Sequence, residues 1–508
     1  MIFKVHDSKL FMSLVESSNT EYYDLKNWLI REIKNYYFIK KQMEKKGQHW
    51  FNGKIDFFGN GEIIPIGLWK EIKELCKKHK HECKIRGIKN IIDFDFDEDY
   101  FRAWVYEFFE NKDKKPYEWQ IDACINVLKY RRSVSEIATG GGKTLIMYTI
   151  LAFLKSQGIC DKFMIVVPNI NLVEQSIDDF YEYNNDPELN MKFNEQLFFG
   201  NNTKEIKQDT DLLIGTFQSL IKLDKDVFKT IDCLVVDECH YAKAKTIKDI
   251  CAKLVNCHYR IGLSGTTMAM TKDADSYTIQ SHLGPLCQEV KIRDLIDGDY
   301  LSDVKIKQIY LKYLSDNEKN KLAVVKKQIE PSKMLALEKK FANTNEKRLN
   351  FLIRLVKRLK GVTLVLFHDI QGKFGKRVYE MLKEVLEVDV YYIDGNVKME
   401  TRGVIYEEGR SDSDKVLVCS FGTTSTGINI PNIKNVILAE SFKSDVVVLQ
   451  SIGRGTRLSE GKDELVVYDL VDDFRTKGHI NFLYKHGRER CDLYRRKELE
   501  YTEKRIDL

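Results

Sequence analysis

Val134-Ser135-Glu136-Ile137-Ala138-Thr139-Gly140-Gly141-Gly142-Lys143-Thr144 is the stretch whose reading decides this chain. Residues of strand character run into three glycines, and a lysine and a threonine then open a helix. Backbone N–H groups at such a turn and helix N-terminus form a cradle for anions, and glycine lets the main chain approach a phosphate closely. In that setting Lys143 reaches the β- and γ-phosphates of a nucleoside triphosphate, and Thr144 binds its magnesium. Ile137 stands where the general pattern has its first glycine, so the motif alone also admits a glycine-rich turn with an incidental lysine.

Two stretches further along weigh against coincidence. Asp237-Glu238-Cys239-His240 ends the apolar run Cys233–Val236, which puts the Asp237 carboxylate at a sheet edge beside a magnesium-bound phosphate. Glu238 is suited to orient or deprotonate an attacking water. Gln450-Ser451-Ile452-Gly453-Arg454-Gly455-Thr456-Arg457 supplies two arginines three positions apart, on one face if the segment is helical. Arginines brought to a transferring phosphoryl group are worth roughly 10³–10⁵ in rate. Taken singly, the acidic pair can be a solvated turn and the arginines a basic helix face. In this order they describe a triphosphate site assembled from distant parts of the chain, which closes and opens as nucleotide turns over: a motor.

Around these motifs, apolar runs of strand length alternate with helical patterns. Ser133–Ala138, Phe163–Val167, Leu212–Gly215, Cys233–Val236 and Arg260–Leu263 form one series; Thr363–Phe367, Val388–Ile393, Val416–Ser420, Asn435–Leu438 and Leu465–Tyr468 form another. Near-continuous apolar strands between helices predict parallel sheets covered on both faces, in an α/β fold. The expected division is an accessory α+β module at 1–95, a linker at 96–115, an ATP-binding domain at 116–290 and a second domain at 291–508. In the module, Met1–Val5 reads as a strand, and Leu25, Trp28, Leu29, Ile33 and Tyr36 fall at helical spacing. Asn52-Gly53 and Asn60-Gly61 are hairpin turn signals around Lys54–Phe58, and a second helix follows Pro65.

With 508 residues the chain has room for about three domains. Its net charge is only +5 on 81 basic and 76 acidic residues, so a nucleic-acid surface has to be a local patch. Residues 31–90 hold such a patch, with 15 Lys/Arg against 7 Asp/Glu. The 11 cysteines form no CxxC pair, as expected of reduced thiols in a cytoplasmic protein. Cys76, His79, His81 and Cys83 lie close together, but the interval between ligand pairs is shorter than zinc sites use. No run is apolar for the length of a membrane span, and the N-terminus lacks the apolar core of a signal peptide.

From Pro116 to about residue 475 the chain resembles superfamily 2 helicases and translocases, whose fold is two RecA-like parallel-sheet motor domains in tandem. By that resemblance, Tyr117 and Gln120 read adenine, while Thr139, Gly140, Gly141, Gly142, Lys143, Thr144, Gly427 and Gln450 bind ATP. Asp237 and Thr144 hold Mg2+, and Lys143, Asp237, Glu238, Arg454 and Arg457 carry catalysis. Pro168 and Asn169 with Gln175, Thr216 with Gln218 and Ser219, and Phe367 and Thr426 in the second domain would contact a nucleic-acid strand. Ser264-Gly265-Thr266 matches the motif that couples hydrolysis to strand contacts. Phe367-His368, Asp394-Gly395 with Arg402, and Ser425–Asn429 match later motifs. Serine, threonine and backbone N–H groups at strand ends suit contacts to phosphates that are independent of sequence.

The N-terminal module is similar to the accessory DNA-binding domain of the recombination helicases of T-even-like phages, through Trp50, Gly53-Lys54-Ile55, Pro65, Gly67-Leu68, Ile72-Lys73 and Cys76. The resemblance implies an ATP-dependent DNA helicase, acting as a monomer with or without a small accessory protein in the host cytoplasm. Its substrates would be branched DNA: forks, four-way junctions and R-loops. Lys40, Lys41, Lys45, Lys46 and Lys54 would grip DNA through its phosphates; a solvated basic face is the other reading of these lysines. An RNA helicase, a duplex translocase of the restriction or transcription type, and an annealing protein with a vestigial motor are the alternatives. The basic stretch Arg488–Lys497 is open to three readings: a partner helix, a DNA contact or a solvated end.

Overall fold

The computed structural model describes residues 1–6, 11–32, 54–58, 62–93, 95–185, 191–200, 205–241, 244–265, 274–312, 315, 319, 325, 330–368, 373–409, 411, 413–424, 430, 432–442, 445–459, 462, 464–476 and 479–508. Lys40, Lys41, Lys45, Lys46, Trp50, Thr266, Thr426, Gly427 and both Asn-Gly turn signals lie outside these residues. The chain packs as two units: Met1–Ile137 with Gly142–Val290, and Lys291–Leu508 with the short stretch Ala138–Gly141.

In the first unit a small sheet is built from β1 (Ile2–Val5), β2 (Phe11–Glu16), β5 (Ile63–Pro65) and β6 (Lys84–Arg86), in the order β5-β2-β1-β6. A separate ladder joins β3 (Ile30–Glu32) to β4 (Lys54–Asp56). Of the helical spacing at Leu25, Trp28, Leu29, Ile33 and Tyr36, the described residues form the helix Asn19–Trp28, and Ile33 and Tyr36 lie outside the described residues. Ile30 enters the β3–β4 ladder instead, because strand pairing outweighs the helical spacing of its apolar neighbours. The helix after Pro65 forms at Trp69–Lys78 and turns Trp69, Ile72 and Cys76 inward. Beside it His79 packs over Trp28 at 4.4 Å, and His81 meets Asp24 at 3.1 Å.

This module packs directly on the neighbouring motor sheet's helix Ala274–Leu283. Arg31 donates to the Tyr277 hydroxyl at 2.9 Å, and that hydroxyl donates to Glu71 at 2.6 Å. Gly67 makes the approach possible: a Cβ there would come within 2.0 Å of the Gln280 carbonyl oxygen. The acidic stretch before the motor sheet is a helix start. Asp97 accepts from the Tyr100 N–H at 2.9 Å and caps the helix Glu98–Phe108, whose N-terminus favours nearby carboxylates. Phe101 anchors that helix edge-on against Phe153 at 4.8 Å.

The large sheet of the first unit has β7 (Arg132–Ile137), β8 (Phe163–Val167), β9 (Glu195–Phe198), β10 (Leu212–Thr216), β11 (Cys233–Val236), β12 (Tyr259–Ser264) and β13 (Leu286–Val290). The seven strands run parallel in the order β13-β7-β12-β11-β8-β10-β9. The helix Lys143–Ser156 has every residue from Leu145 to Leu154 buried, so its N-terminus is fixed by packing on all sides.

The second unit repeats the architecture with β14 (Asp303–Lys312), β15 (Val362–Phe367), β16 (Asp389–Ile393), β17 (Lys415–Ser420), β18 (Ile433–Leu438), β19 (Glu464–Asp472) and β20 (Glu500–Asp507). These too are parallel, in the order β16-β17-β15-β18-β19-β14-β20. The fold is therefore α/β, with two RecA-like parallel sheets in tandem after a small α+β module. Among the described residues no helix is long and apolar enough to cross a membrane.

Candidate nucleotide site

In a parallel sheet, loops at the carboxyl ends of the strands converge, and ligands bind there. The sheet order places β12 between β7 and β11, so the glycine turn after β7 and the acidic pair after β11 flank the end of β12. Asp237 continues the β11 ladder, its N–H donating to the Val166 carbonyl at 2.9 Å. Glu238 has φ of 45°, a left-handed conformation that a residue with a side chain adopts at a cost. That conformation turns its carboxylate back across the strand ends.

Glu238 is the hub of the cluster. Its Oε1 pairs with Lys143 Nζ at 3.2 Å, and its Oε2 accepts from the Gly265 N–H at 3.1 Å. Oε2 also lies 3.3 Å from His240 Nδ1, which is itself 2.8 Å from Ser264 Oγ. Burial opposes the Glu238 charge, but Lys143 and His240 together with the Gly265 N–H outweigh it and lower the pKa, keeping the group ionised. Asp237 moves the other way. Burial first, and the Glu238 carboxylate second, push it up to about 7, against the pull of Lys143. Two adjacent carboxylates facing one lysine are a donor set that a divalent cation would complete, and a cation there would return Asp237 to its charged form.

The turn itself has the geometry that phosphates require. Gly140 and Gly142 have φ of 92° and 70°, and the Gly142 carbonyl accepts from the Leu145 N–H at 3.0 Å as the helix begins. A Cβ on Gly142 would meet Gln120 Nε2 at 2.5 Å, while Gln120 Oε1 accepts from the Tyr117 N–H at 2.8 Å. Gln120 is thus buried against the turn and fixes half-exposed Tyr117 beside it. Thr144 is the second residue of the helix, next to Lys143.

The strand-contacting candidates divide by exposure. Asn169 caps the helix Ile170–Tyr183 by accepting from the Leu172 N–H at 3.1 Å, and Pro168 and Gln175 are half-buried beside it. Thr216 and Ser219 are buried and bonded to each other at 3.1 Å, leaving Gln218 exposed between them. Lys54 is exposed on β4. Phe367 does not face solvent: its ring is in the core, stacked on Tyr392 at 5.7 Å and packed on Gly375. A strand passing Thr216, Ser219 or Phe367 would meet backbone rather than these side chains.

In the second unit Gln450 and Arg454 lie on one face of the helix Asp445–Gly455, four residues apart. Arg457 lies beyond the end of that helix, so the expected shared face of Arg454 and Arg457 is not formed. The helix stops where a Cβ on Gly455 would come within 2.7 Å of Leu465. Arg402 donates to the carbonyls of Asp394 and Gly395 at 3.0 and 3.1 Å, tying that loop to its own helix. Motif reading singled out the acidic pair but not the part His240 plays beside it. Its position in the same four-residue box, with Ser264 at the end of the intervening strand, was the available signal.

Comparison with known proteins agrees with this geometry. Residues 113–268 match the family model described as type III restriction enzyme, res subunit, and residues 347–459 match the helicase conserved C-terminal domain. The ATP-dependent DNA helicase UvsW of Enterobacteria phage T4 is 28% identical over 524 aligned positions, covering 100% of both chains. A crystal structure of T4 UvsW aligns over 100% of this chain and 99% of its own, at 26% identity and TM-score 0.48. The ATP-dependent type ISP restriction-modification enzyme LlaBIII, bound to DNA, shares the fold at TM-score 0.56 and 17% identity, over 86% of this chain and 36% of its own. With both motor-domain models in sequence order and a similarity to UvsW that runs from end to end, this chain belongs to the superfamily 2 helicases, as an ATP-dependent enzyme of the UvsW kind.

Proposed function

We propose that this ATP-dependent helicase is a DNA motor of phage recombination, repair and replication that acts at branch points, regressing forks, migrating four-way junctions and unwinding R-loops. The observation that carries the ATP chemistry is the cluster of Lys143, Glu238 and His240 at the carboxyl ends of β7, β11 and β12. The choice of DNA rests on the full-length similarity to UvsW, which extends through the accessory module. In this reading residues 116–290 are the ATP-binding motor domain and residues 291–508 the second one. The chain works as a monomer in the host cytoplasm, with or without a small accessory protein.

Each residue has a defined task. The glycine turn and Lys143 hold the phosphates, Tyr117 and Gln120 the base, and Thr144 and Asp237 the Mg2+ that accompanies ATP. The metal supplies charge neutralisation at the phosphates. Glu238, held ionised, orients and deprotonates the attacking water, a role worth about 10²–10⁴-fold. Arg454 and Arg457 stabilise the charge that develops on the transferring phosphoryl group. Pro168, Asn169, Gln175, Thr216, Gln218, Ser219, Phe367 and Thr426 mark where one strand passes, and Lys54 with Lys40, Lys41, Lys45 and Lys46 grips the arms of the branch.

ATP hydrolysis by wild type and Glu238→Gln tests this, compared without nucleic acid and with single-stranded DNA, linear duplex, a four-way junction and RNA. The expected result is strong stimulation by the junction, reduced at least ~100-fold in the variant. Equal turnover with and without DNA would refute the motor reading. Stimulation by linear duplex as strong as by the junction would favour a translocase, as the match to the restriction-enzyme family model suggests. Stimulation by RNA alone would make it an RNA helicase.

A further inference from the structure

The segment Gly455–Arg457 leaves the helix Asp445–Gly455 with its last carbonyls unpaired by helical geometry. Three groups from elsewhere in the same unit take them up. Lys462 Nζ donates to the Gly455 carbonyl and to the Arg457 carbonyl, the latter at 2.8 Å. The Ser302 N–H donates to the Thr456 carbonyl at 2.7 Å, and Ser302 Oγ reaches the Arg457 carbonyl at 3.4 Å. Thr456 Oγ1 donates back to the Gly453 carbonyl at 2.9 Å. Each consecutive carbonyl from Gly455 to Arg457 therefore has a donor, and one lysine holds the first and the last.

We propose that Lys462 is a positioning residue for Arg457, fixing the backbone that aims the arginine at the phosphoryl group. Because Arg457 lies outside the helix, the hydrogen bonds of this loop hold its backbone where helical geometry does not. A misplacement of about 1 Å in a group that acts on a transition state can cost ~10²-fold in rate. Lys462 is also an expensive donor in this place. Burial, with Arg457 and Lys434 nearby, pushes its ammonium down to about 7. Gly455 and Thr456 are themselves buried, so these carbonyls need donors from the protein, and a buried lysine holds the loop where water would leave it free to move.

The inference rests on the assignment of Arg457 to phosphoryl transfer, and the test separates the two. Steady-state ATP hydrolysis at saturating junction DNA is measured on the full chain for wild type, Arg457→Ala, Lys462→Met and the double variant, with thermal unfolding alongside. Lys462→Met is expected to lower kcat ~10–100-fold while leaving the KM for ATP within about twofold. In the Arg457→Ala background the same change should cost nothing further, because the arginine it positions is gone. Wild-type kcat in Lys462→Met beside a slow Arg457→Ala would overturn the proposal. So would a double variant slower than Arg457→Ala by the factor seen in wild type, which is the mark of a general structural role. Arg457→Ala at wild-type rate would remove the arginine assignment itself, and this proposal with it. Should Lys462→Met not fold, Lys462→Gln replaces it under the same expectations.

Discussion

Two groups of charged side chains, one in each unit, use the same ion-pair chemistry to different ends. In the second unit, Asp469 and Arg490 are 0% and 1% exposed, and both carboxylate oxygens are saturated. Arg490 Nη2 reaches Oδ1 at 2.6 Å, Gln308 and Tyr494 donate to Oδ2 at 2.8 and 3.0 Å, and Arg490 Nη1 also holds the Phe442 carbonyl at 2.8 Å. In the first unit, Lys143 and Glu238 are each 12% exposed, and the lysine contact is a single one at 3.2 Å. The sealed pair has no partner left to exchange, so it pins the helix Phe482–Arg496 to β19 and β14. In the proposed function the open pair has a lysine that phosphate can take from it. Exposure and saturation, not the identity of the residues, separate a structural ion pair from a working one.

The largest effect expected from breaking this comparison is in the sealed group. Asp469→Ala should lower unfolding stability by about 3–5 kcal/mol, because it strands a buried guanidinium. Chemical denaturation checks this, and a loss below about 1 kcal/mol would show that the pair is not sealed. Next comes Lys143→Ala, which should reduce ATP turnover by ~10²–10³-fold with little change in stability, as measured by hydrolysis beside thermal unfolding. Strong destabilisation with intact turnover would reverse the two roles. The smallest effect belongs to Arg496, whose 3.0 Å pair with Asp445 is between side chains 41% and 37% exposed. Arg496→Ala should change stability by less than about 1 kcal/mol, in urea titration at low and high salt.

The same comparison applies to the basic C-terminal stretch. Arg488 pairs with Glu503 at 2.9 Å, Arg490 with Asp469, Arg495 with Asp492 at 2.9 Å, and Arg496 with Asp445. Composition showed a run of cations; Arg495 pairs within its own helix, while Glu503, Asp469 and Asp445 come from elsewhere in the second unit, brought close by folding. Four strands of the two large sheets are not read from the sequence, three of them at sheet edges. The strand β20, Glu-Tyr-Thr-Glu-Lys-Arg-Ile-Asp, is paired on one side only and mostly exposed, so it has no apolar run to betray it. The strand β14 does alternate Val304 and Ile306 with Lys305 and Lys307, a half-buried pattern that sequence can carry. β9 and β13 end the first sheet as short edge strands.

The sequence by itself determined the two covered parallel sheets, since strands buried on both faces must be apolar throughout. It also carried the pattern of a nucleotide site, with glycines, a lysine and paired carboxylates at strand ends. The tertiary structure decided what depends on distance. It set β12 between β7 and β11, so that Ser264 and Gly265 meet Glu238 and His240. It ended a helix at Gly455, which detached Arg457 from Arg454 and gave Lys462 the loop to hold. Local patterns encode which face of an element is buried; which partner waits on that face is fixed only when remote segments pack.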